Sequence, residues 1–389
     1  MTSRPRPDLL RSKPVLAYLV TEDWYFMGHR VPMALAAQRA GYDVHVVTRV
    51  DKHRAAIESL GFRVHPVQWR RGSLNPLAFL NSIREVHRHY RAINPDLVHH
   101  VALQPTIVGS LAISGQACMR LNALTGLGYV FTSGTLKARA VRPVLRALLR
   151  YVLGNKRAVV VVENPDDRAA VRDLGVADGR IFTIAGSGIE TDKLVPLPEP
   201  PEPVTVAFAG RLLKDKGVRT LVEAHGILER RGLSVRLLIA GAPDPANPAS
   251  IPNNEIMEWS RRPGVTLLGH VPDIRNVWKA AHVAVLASRR EGLPMSLLEA
   301  AACGRPIVAS DVPGCREVAR QDVNALLVPP GNSEALAEAI SQLSCNKELR
   351  RRFGEAGRRL VENEYSADRV GSAIVALYGH LLESRKVRA

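Results

Sequence analysis

Aromatic side chains are scarce, 5% of 389 residues, which leaves little material for the stacked platforms that hold single-stranded nucleic acid. Cysteine is scarcer still. Cys118, Cys303, Cys315 and Cys345 form no C-x-x-C pair and no zinc-ligand spacing, and read as small buried hydrophobes in a reducing compartment. No G-x-G-x-x-G follows the first apolar run, which argues against a nicotinamide or flavin site, and no G-x-x-x-x-G-K-[ST] supplies a P-loop. Gly126-Leu-Gly128 is a lone G-x-G and reads as a turn. Neither a metal nor a cofactor is expected. Met1 to Lys13 has no apolar core and does not read as a signal peptide, so a frayed tail is expected there. Leu97 to Met119 runs 23 residues without a charge, long enough on paper to span a bilayer. His99, His100, Gln104, Pro105, Ser110, Ser114 and Gln116 interrupt it, and each would need a partner in hydrocarbon. A buried strand followed by a short buried helix explains the same composition.

Acidic residues are the next shortage, and it is uneven. Residues 1–190 hold 26 Lys and Arg against 14 Asp and Glu, while residues 191–389 hold 27 against 23, giving a formal charge of +16 that lies mostly in the first half. Net charge alone would suit a nucleic-acid-binding protein, but no helix-turn-helix, RNA-recognition or finger signature accompanies it. No nucleic-acid partner is expected. The apolar fraction, 46%, is that of a globular chain, and the length suits two domains, each with its own core.

What is present is alternation. Apolar runs at 15–21, 43–48, 63–67, 96–101, 120–124, 158–162 and 180–184 read as strands separated by helical sequence such as Val31–Ala40, which ends at Gly41. This is the pattern of a parallel sheet covered on both faces. Leu194 to Pro203 then places five prolines in ten residues, which suits a stiff, extended linker. The alternation restarts at 204–209, 235–240, 265–268, 282–287, 306–310 and 325–328, and the chain closes in helical sequence from Ser333. The expected fold class is α/β with two doubly wound, Rossmann-like domains: 1–190, a proline-rich linker at 191–203, a second domain at 204–370, and a C-terminal helix at 371–389 that packs back on the first domain. In such sheets ligands sit beyond the carboxyl ends of the strands, so the cleft between two such domains is the expected site.

Chemistry concentrates after the strand at 283–287. Ser288-Arg-Arg-Glu291-Gly-Leu-Pro-Met-Ser-Leu-Leu-Glu299 is a loop running into a helix. Gly292 permits a tight turn and Pro294 suits the first turn of a helix. Backbone N–H groups from Leu293 through Met295 and Ser296 to Leu297 are then candidates for holding phosphate. Glu299 suits paired hydroxyls such as those of a ribose, and Glu291 a different hydroxylated group. Two glutamates eight apart would by themselves also suit a helix cap and a solvated face. After the strand at 204–209, Gly210-Arg211-Leu-Leu-Lys214-Asp-Lys216-Gly217 sets two cations, Arg211 and Lys216, where a diphosphate needs neutralising.

Together with Cys303-Gly-Arg-Pro-Ile-Val-Ala-Ser-Asp311 and Gly314-Cys-Arg-Glu317, these segments resemble the nucleotide-sugar domain of retaining family-4 glycosyltransferases of the GT-B fold. The resemblance is strongest over 204–335 and looser before 190. It implies that Arg211 and Lys216 bind the diphosphate of a nucleotide-sugar donor, that Glu299 binds its ribose and Glu291 the transferred sugar, and that the enzyme is a hexosyl- or N-acetylhexosaminyl-transferase, with a UDP-sugar favoured. A GT-B nucleotide-sugar epimerase is the alternative enzyme. Glu22 to Arg30 reads as a loop after the first strand. Similar enzymes bring a small-residue loop to the donor phosphate here; Gly28 fits, although Met27 replaces the first of the usual glycine pair. His29 and Arg30 read as acceptor-facing or as a cap and solvated side chains. The resemblance also places a histidine near the reacting sugar, and His100 is the candidate. His99 and His100 point to opposite faces of their strand, so one faces the cleft, and a structural role stays open for either. Asn122 and the turn Thr125–Tyr129 are expected to line the same cleft.

Arg30-Val-Pro-Met33, Ser73-Leu-Asn-Pro76 and Gly126-Leu-Gly128 resemble members extending sugars on a polyprenyl-diphosphate carrier. Between Leu97 and Val162 there are eight Lys or Arg and no acid. Val141, Val144, Leu145, Leu148, Leu149 and Val152 share one helical face, and Arg139, Arg142, Arg146 and Arg150 another. That pattern suits a helix lying on an anionic membrane surface, and equally a helix packed on the sheet with a solvated basic face. The expected location is the cytoplasm, peripheral on the inner face of the cytoplasmic membrane, with a polyprenyl-diphosphate-linked or other glycan as acceptor.

Overall fold

All thirteen apolar runs become strands in the computed structural model, which describes residues 13–69, 75–124, 136–245, 247 and 249–387. The chain divides into two compact units, Met1–Gly188 with Asp368–Ala389, and Ile189–Ala367.

The first unit runs β1 (Val15–Glu22), α1 (Asp23–His29), α2 (Val31–Arg39), β2 (Asp43–Arg49), α3 (Arg54–Ser59), β3 (Arg63–Pro66), α4 (Pro76–Ile93), β4 (Leu97–Val101), α5 (Leu103–Ala112), β5 (Met119–Ala123), α6 (Leu136–Gly154), β6 (Ala158–Val162), α7 (Pro165–Asp173) and β7 (Ile181–Thr183). Its sheet is parallel throughout, in the order β3-β2-β1-β4-β5-β6-β7. Alternate residues of β1 serve opposite faces. Val15, Ala17 and Leu19 pack with Val86, Tyr90 and Ile93 of α4 and with Val108 and Ala112 of α5. Leu16, Tyr18 and Val20 pack with Met33, Ala34 and Ala37 of α2. The uncharged stretch Leu97–Met119 is β4, α5 and the link to β5; both elements are largely buried, which is where its apolar side chains go.

In the second unit come β8 (Thr205–Ala209), α8 (Val218–Arg230), β9 (Arg236–Ala240), α9 (Asn253–Ser260), β10 (Val265–Gly269), α10 (Arg275–Ala280), β11 (Val283–Leu286), α11 (Met295–Ala302), β12 (Ile307–Ser310), α12 (Pro313–Val318), β13 (Ala325–Val328), α13 (Ser333–Cys345) and α14 (Lys347–Leu360). The six strands are again parallel, ordered β10-β9-β8-β11-β12-β13.

The last helix, α15 (Ala367–Val387), returns to the first unit. Val370, Ile374, Leu377, Tyr378 and Leu381 recur at helical spacing and are buried in the same core as Leu16 and Tyr18. Tyr378 Oη lies 2.8 Å from Tyr18 Oη, and Arg385 donates to Asp96 at 2.7 Å. The proline-rich segment is no free linker. It counts with the second unit, where Leu197 N–H donates to the Cys303 carbonyl (3.1 Å), Arg305 to the Pro198 carbonyl (2.7 Å), and Arg350 to Glu199 (2.7 Å). Proline supplies no N–H of its own, so the segment is held by its carbonyls, the Leu197 N–H and the Glu199 carboxylate.

Candidate active site

Each sheet reverses its strand order once, between β1 and β4 and between β8 and β11, and ligands of open α/β sheets gather beyond the carboxyl ends of strands at such points. In the second unit β8 and β11 release two loops there; Gly217 presses the β8 loop onto the end of β11, and Gly314 at the start of α12 presses on the β11 loop. A Cβ on Gly217, at φ +70°, would stand 1.8 Å from the Ala287 carbonyl oxygen, and one on Gly314 would stand 2.3 Å from that of Gly292. Both obstacles are backbone, so no larger residue fits without moving a loop.

The compression brings Lys216 onto Glu291. The ammonium donates to both carboxylate oxygens, at 2.7 and 2.8 Å, and the fully buried Ser288 donates to Oε1 at 2.5 Å. Arg211, at the end of β8, donates to Asp244 at 2.9 Å and keeps 40% of its side chain exposed. Beyond the loop, Pro294 caps α11, and its carbonyl accepts the N–H groups of Leu297 and Leu298. Leu297 is thereby removed from the donor set, and the N–H groups of Met295 and Ser296 open the helix. Glu299 stands one turn further on, half-buried. Burial pushes its carboxyl up to about 8, and the carboxylate has no hydrogen-bond or ion-pair partner among the described residues. A half-buried carboxylate with no partner in the protein leaves its acceptor sites to water or to a ligand, and a pair of vicinal hydroxyls would satisfy it.

The first unit departs further from expectation. The segment after β1 is not a loop but the helix α1, because Asp23 accepts N–H groups from Asp51, Lys52 and His53 at 2.8–3.0 Å and ties the strand end to the turn after β2. Gly28 lies on α1, exposed, with open space where a Cβ would stand and no positive φ, so this backbone makes no demand for glycine. His29 packs against Tyr25, the rings tilted by 39° with centroids 4.3 Å apart. Arg30 is buried, its guanidinium 3.8 Å from Glu163. Burial pushes Glu163 up to about 7, opposed by that guanidinium.

His100 is sealed inside the unit. Its Nδ1 meets Asn122 Oδ1 at 2.8 Å and its Nε2 meets Tyr90 Oη at 3.1 Å, while a Cβ on Gly109 would stand 2.4 Å from Nε2. Burial pushes its imidazole down to about 4. Asn122 completes this interior network through the Val159 carbonyl (3.2 Å). Neither residue meets a surface, so the expectations for both are corrected: they are satisfied core polar groups. His99 faces the other side of the sheet, bonded to Tyr378 Oη at 2.6 Å, and its Nε2 has no partner. On α6, Leu149, Val152 and Leu153 are buried in the core while Arg146 and Arg150 are exposed and Arg142 is half-buried. The C-terminal part of the apolar stripe, Leu145 to Val152, is therefore spent on the core, while Val144 stays exposed. Thr125–Tyr129 lies outside the described residues.

Four functional candidates escaped sequence reasoning: Ser288, Asp244, Glu163 and Tyr378. Ser288 and Glu163 each stand within two residues of a strand's carboxyl end, a positional signal that could have found them. Asp244 and Tyr378 depend on long-range packing and carry no local mark.

Comparison with known proteins follows the same division. Residues 190–360 match the family described as glycosyl transferases group 1, and residues 15–163 match glycosyl transferase 4-like. The N,N'-diacetylbacillosaminyl-diphospho-undecaprenol alpha-1,3-N-acetylgalactosaminyltransferase of Campylobacter jejuni is 27% identical over 82% of this chain and 87% of its own. The putative glycosyltransferase EpsD of Bacillus subtilis is 25% identical over 88% and 91%. Among solved structures, sucrose-phosphate synthase from Thermosynechococcus elongatus superposes with a TM-score of 0.81 at 21% identity, covering 96% of this chain and all of that one. Anabaena Alr3699/HepE in complex with UDP-glucose gives 0.74 at 16% identity, covering 94% and 99%.

Proposed function

Because the chain belongs to the glycosyltransferases of the GT-B fold, a glycosyl transferase 4-like domain followed by a group 1 domain, we propose that it moves a sugar from a UDP-activated donor to a saccharide carried on a polyprenyl diphosphate, retaining anomeric configuration. The observation that carries the donor half is Glu299, a half-buried carboxylate with no partner, one turn beyond a loop that holds Lys216. Ribose hydroxyls supply the two donors it lacks. Arg211 and Lys216 face the diphosphate, and the open N–H groups of Met295 and Ser296 add to the same charge field.

The donor bond from the sugar's anomeric carbon to the β-phosphate oxygen breaks, and its electron pair leaves with UDP. The acceptor hydroxyl oxygen bonds to the anomeric carbon from the same face, and its proton passes to the departing phosphate oxygen. No protein base is needed, which agrees with the burial of His100. Charge grows on the leaving diphosphate, so Lys216 and Arg211 stabilise the transition state more than the ground state. In the donor-free protein Lys216 is held by Glu291, which Ser288 also contacts; as the lysine turns to phosphate, Glu291 is released to accept hydroxyls of the transferred sugar. The lipid-linked acceptor is supported by the Campylobacter relative, whose substrate name is a diphospho-undecaprenol. No described helix is long and apolar enough to cross a membrane, and we place the enzyme peripherally, on the cytoplasmic face.

The deciding measurement is nucleoside diphosphate release across a panel of UDP- and GDP-sugars, with a polyprenyl-diphosphate-linked sugar as acceptor and the product anomer assigned by NMR. Acceptor-dependent UDP release with a retained anomer is expected. Release only from GDP-sugars, or an inverted product, refutes the corresponding part.

A further inference from the structure

The positive charge of the first unit is not spread evenly. On the second unit, α14 pairs part of its charge: Arg351 with Glu348 (2.6 Å) and Glu355 (2.5 Å), and Arg358 with Glu362 just beyond the helix (2.6 Å). On the first unit, α4 and α6 both pack against α5 on the same face of the sheet. Across these three helices the sequence has eight Lys or Arg and one acid, Glu85. That acid is engaged by the Gln68 N–H at 3.0 Å. Arg84, Arg88 and Arg146 are exposed and have no ion pair among the described residues. Arg150, also exposed, reaches only the Asp173 carbonyl at 3.4 Å.

Large apolar side chains stand among these cations. At the start of α4, Leu77 is 71% and Leu80 48% exposed; on α6, Val144 is 68% and Tyr151 70% exposed. Val144 belongs to the apolar stripe of α6 but lies at its outer edge, away from Leu149, Val152 and Leu153, which pack in the core. On α4, Leu77, Leu80, Arg84 and Arg88 fall on one side of the helix at spacings of three and four. The helix is fixed in that rotation by Val86, Tyr90 and Ile93 inside and by Asn75, whose side chain caps it by accepting the N–H groups of Leu77 and Ala78. A cavity of about 760 Å³ lies beside α4, lined among others by Gln68, Asn81, Arg84, His87 and Arg88. Glu85 is on the same lining, and the exposed guanidinium groups of Arg84 and Arg88 suit phosphate oxygens.

We propose that the outward faces of α4 and α6 together form the surface on which the protein docks to an anionic phospholipid bilayer, with Leu77, Leu80, Val144 and Tyr151 entering the headgroup region and the arginines between them meeting lipid phosphates. This deepens the reading of a lipid-linked acceptor and rests on it, but it moves the membrane contact from the apolar stripe of α6 to a two-helix face. The unpaired cations give attraction that salt screens, and the apolar side chains give a contact that salt does not weaken. Tyrosine suits the boundary because its ring is apolar and its hydroxyl is wet.

The test is co-sedimentation of the full chain with phosphatidylglycerol–phosphatidylcholine vesicles and with phosphatidylcholine vesicles alone. Each cation near such a surface is worth about fivefold in binding, so Arg84→Gln, Arg88→Gln, Arg146→Gln and Arg150→Gln combined should weaken binding to the anionic vesicles by roughly 50-fold or more. High salt should act the same way on the unmodified protein. Leu77→Ser with Tyr151→Ser should weaken binding by about tenfold, with the salt dependence retained. All six positions are exposed, and unchanged thermal melting confirms that folding is intact. Unchanged vesicle binding in both variants overturns the proposal. So does a serine variant that binds as the unmodified protein while duplex DNA displaces the latter, which would mark the face as a general polyanion surface. UDP release with a soluble acceptor analogue separates the two readings. If the arginine variant loses vesicle binding but keeps turnover, the surface is confirmed whatever the acceptor; if the unmodified protein binds vesicles yet never uses a polyprenyl-diphosphate acceptor, the acceptor reading fails and the surface stands.

Discussion

One polar cluster near the reversal of strand order in each unit, His100 with Asn122 in the first and Lys216, Glu291 and Glu299 in the second, meets its bonding needs in a different way. In the first, His100 and Asn122 are register partners on β4 and β5, bonded to each other and to Tyr90 within a fully buried network. In the second, Lys216, Glu291 and Arg211 stand on loops at the strand ends, and Glu299 nearby has no partner among the described residues. The topology is shared, so the difference lies in satisfaction. A polar group whose bonds are all made inside the protein fixes structure, because only one register completes them. A half-buried carboxylate with no partner in the protein, such as Glu299, fixes no register and stays open to a ligand.

Removing one member from each side gives the sharpest contrast. Lys216→Ala should lower kcat by about 10²–10³, or roughly 3–4 kcal/mol, as for loss of one transition-state donor. The melting temperature should fall by only a few degrees, since Ser288 still donates to Glu291. Near-normal turnover would remove Lys216 from the reaction. His100→Ala should do the reverse. It strands the Asn122 amide oxygen and the Tyr90 hydroxyl and opens a cavity, costing about 2–4 kcal/mol of stability, while kcat of the folded protein stays within about threefold. A collapse of kcat without loss of stability would put His100 back among groups that touch the sugar, and the comparison between the units would fail.

Most of the fold was legible because a parallel sheet buried on both faces needs continuous apolar strands, and the central strands such as β1, β6, β8 and β11 are such runs. The loop after β11 was legible as a turn running into a helix because Gly292, Pro294 and the spacing of Glu291 and Glu299 lie in one short segment, whereas the backbone that Gly217 and Gly314 meet lies far from them in sequence. The first unit's polar residues were misjudged because adjacent histidines on a strand announce only that they face opposite ways. What met them came from elsewhere: Tyr378, 279 residues beyond His99, and Gly109, whose missing Cβ makes room for the His100 ring. The helix α1 was hidden for a similar reason, since Asp23 stabilises it by bonds to residues 51–53, far from any cap in its own sequence. The amphipathic pattern of α6 was real but ambiguous, as period alone cannot say whether an apolar stripe meets a sheet or a lipid.

The smallest expected effect concerns stability, and it distinguishes an incomplete site from a merely buried acid. Burial raises the Glu299 carboxyl in the folded protein to about 8 from its ordinary 4.5. Below about 4.5 the group is neutral in both folded and unfolded chains and makes no difference to stability. Between 4.5 and 8 the unfolded chain gives up a proton that the folded chain keeps, so stability falls as pH rises through this window and levels off above it. A half-buried carboxyl is still partly hydrated, which sets the cost above pH 8 at about 1–3 kcal/mol. Glu299→Gln removes the titration and keeps a hydrogen-bonding side chain, so at pH 8 and above the variant should melt a few degrees higher than the unmodified protein while at pH 5 the two coincide. The same variant should bind the donor less tightly, because an amide carries no charge to strengthen its bonds to the ribose hydroxyls. Saturating UDP should then narrow the gap in melting temperature at high pH, since nucleotide stabilises the glutamate form more. A gap that UDP leaves unchanged would make Glu299 a buried acid with no ligand, and would cancel the distinction between the two units at the residue where it is drawn most sharply.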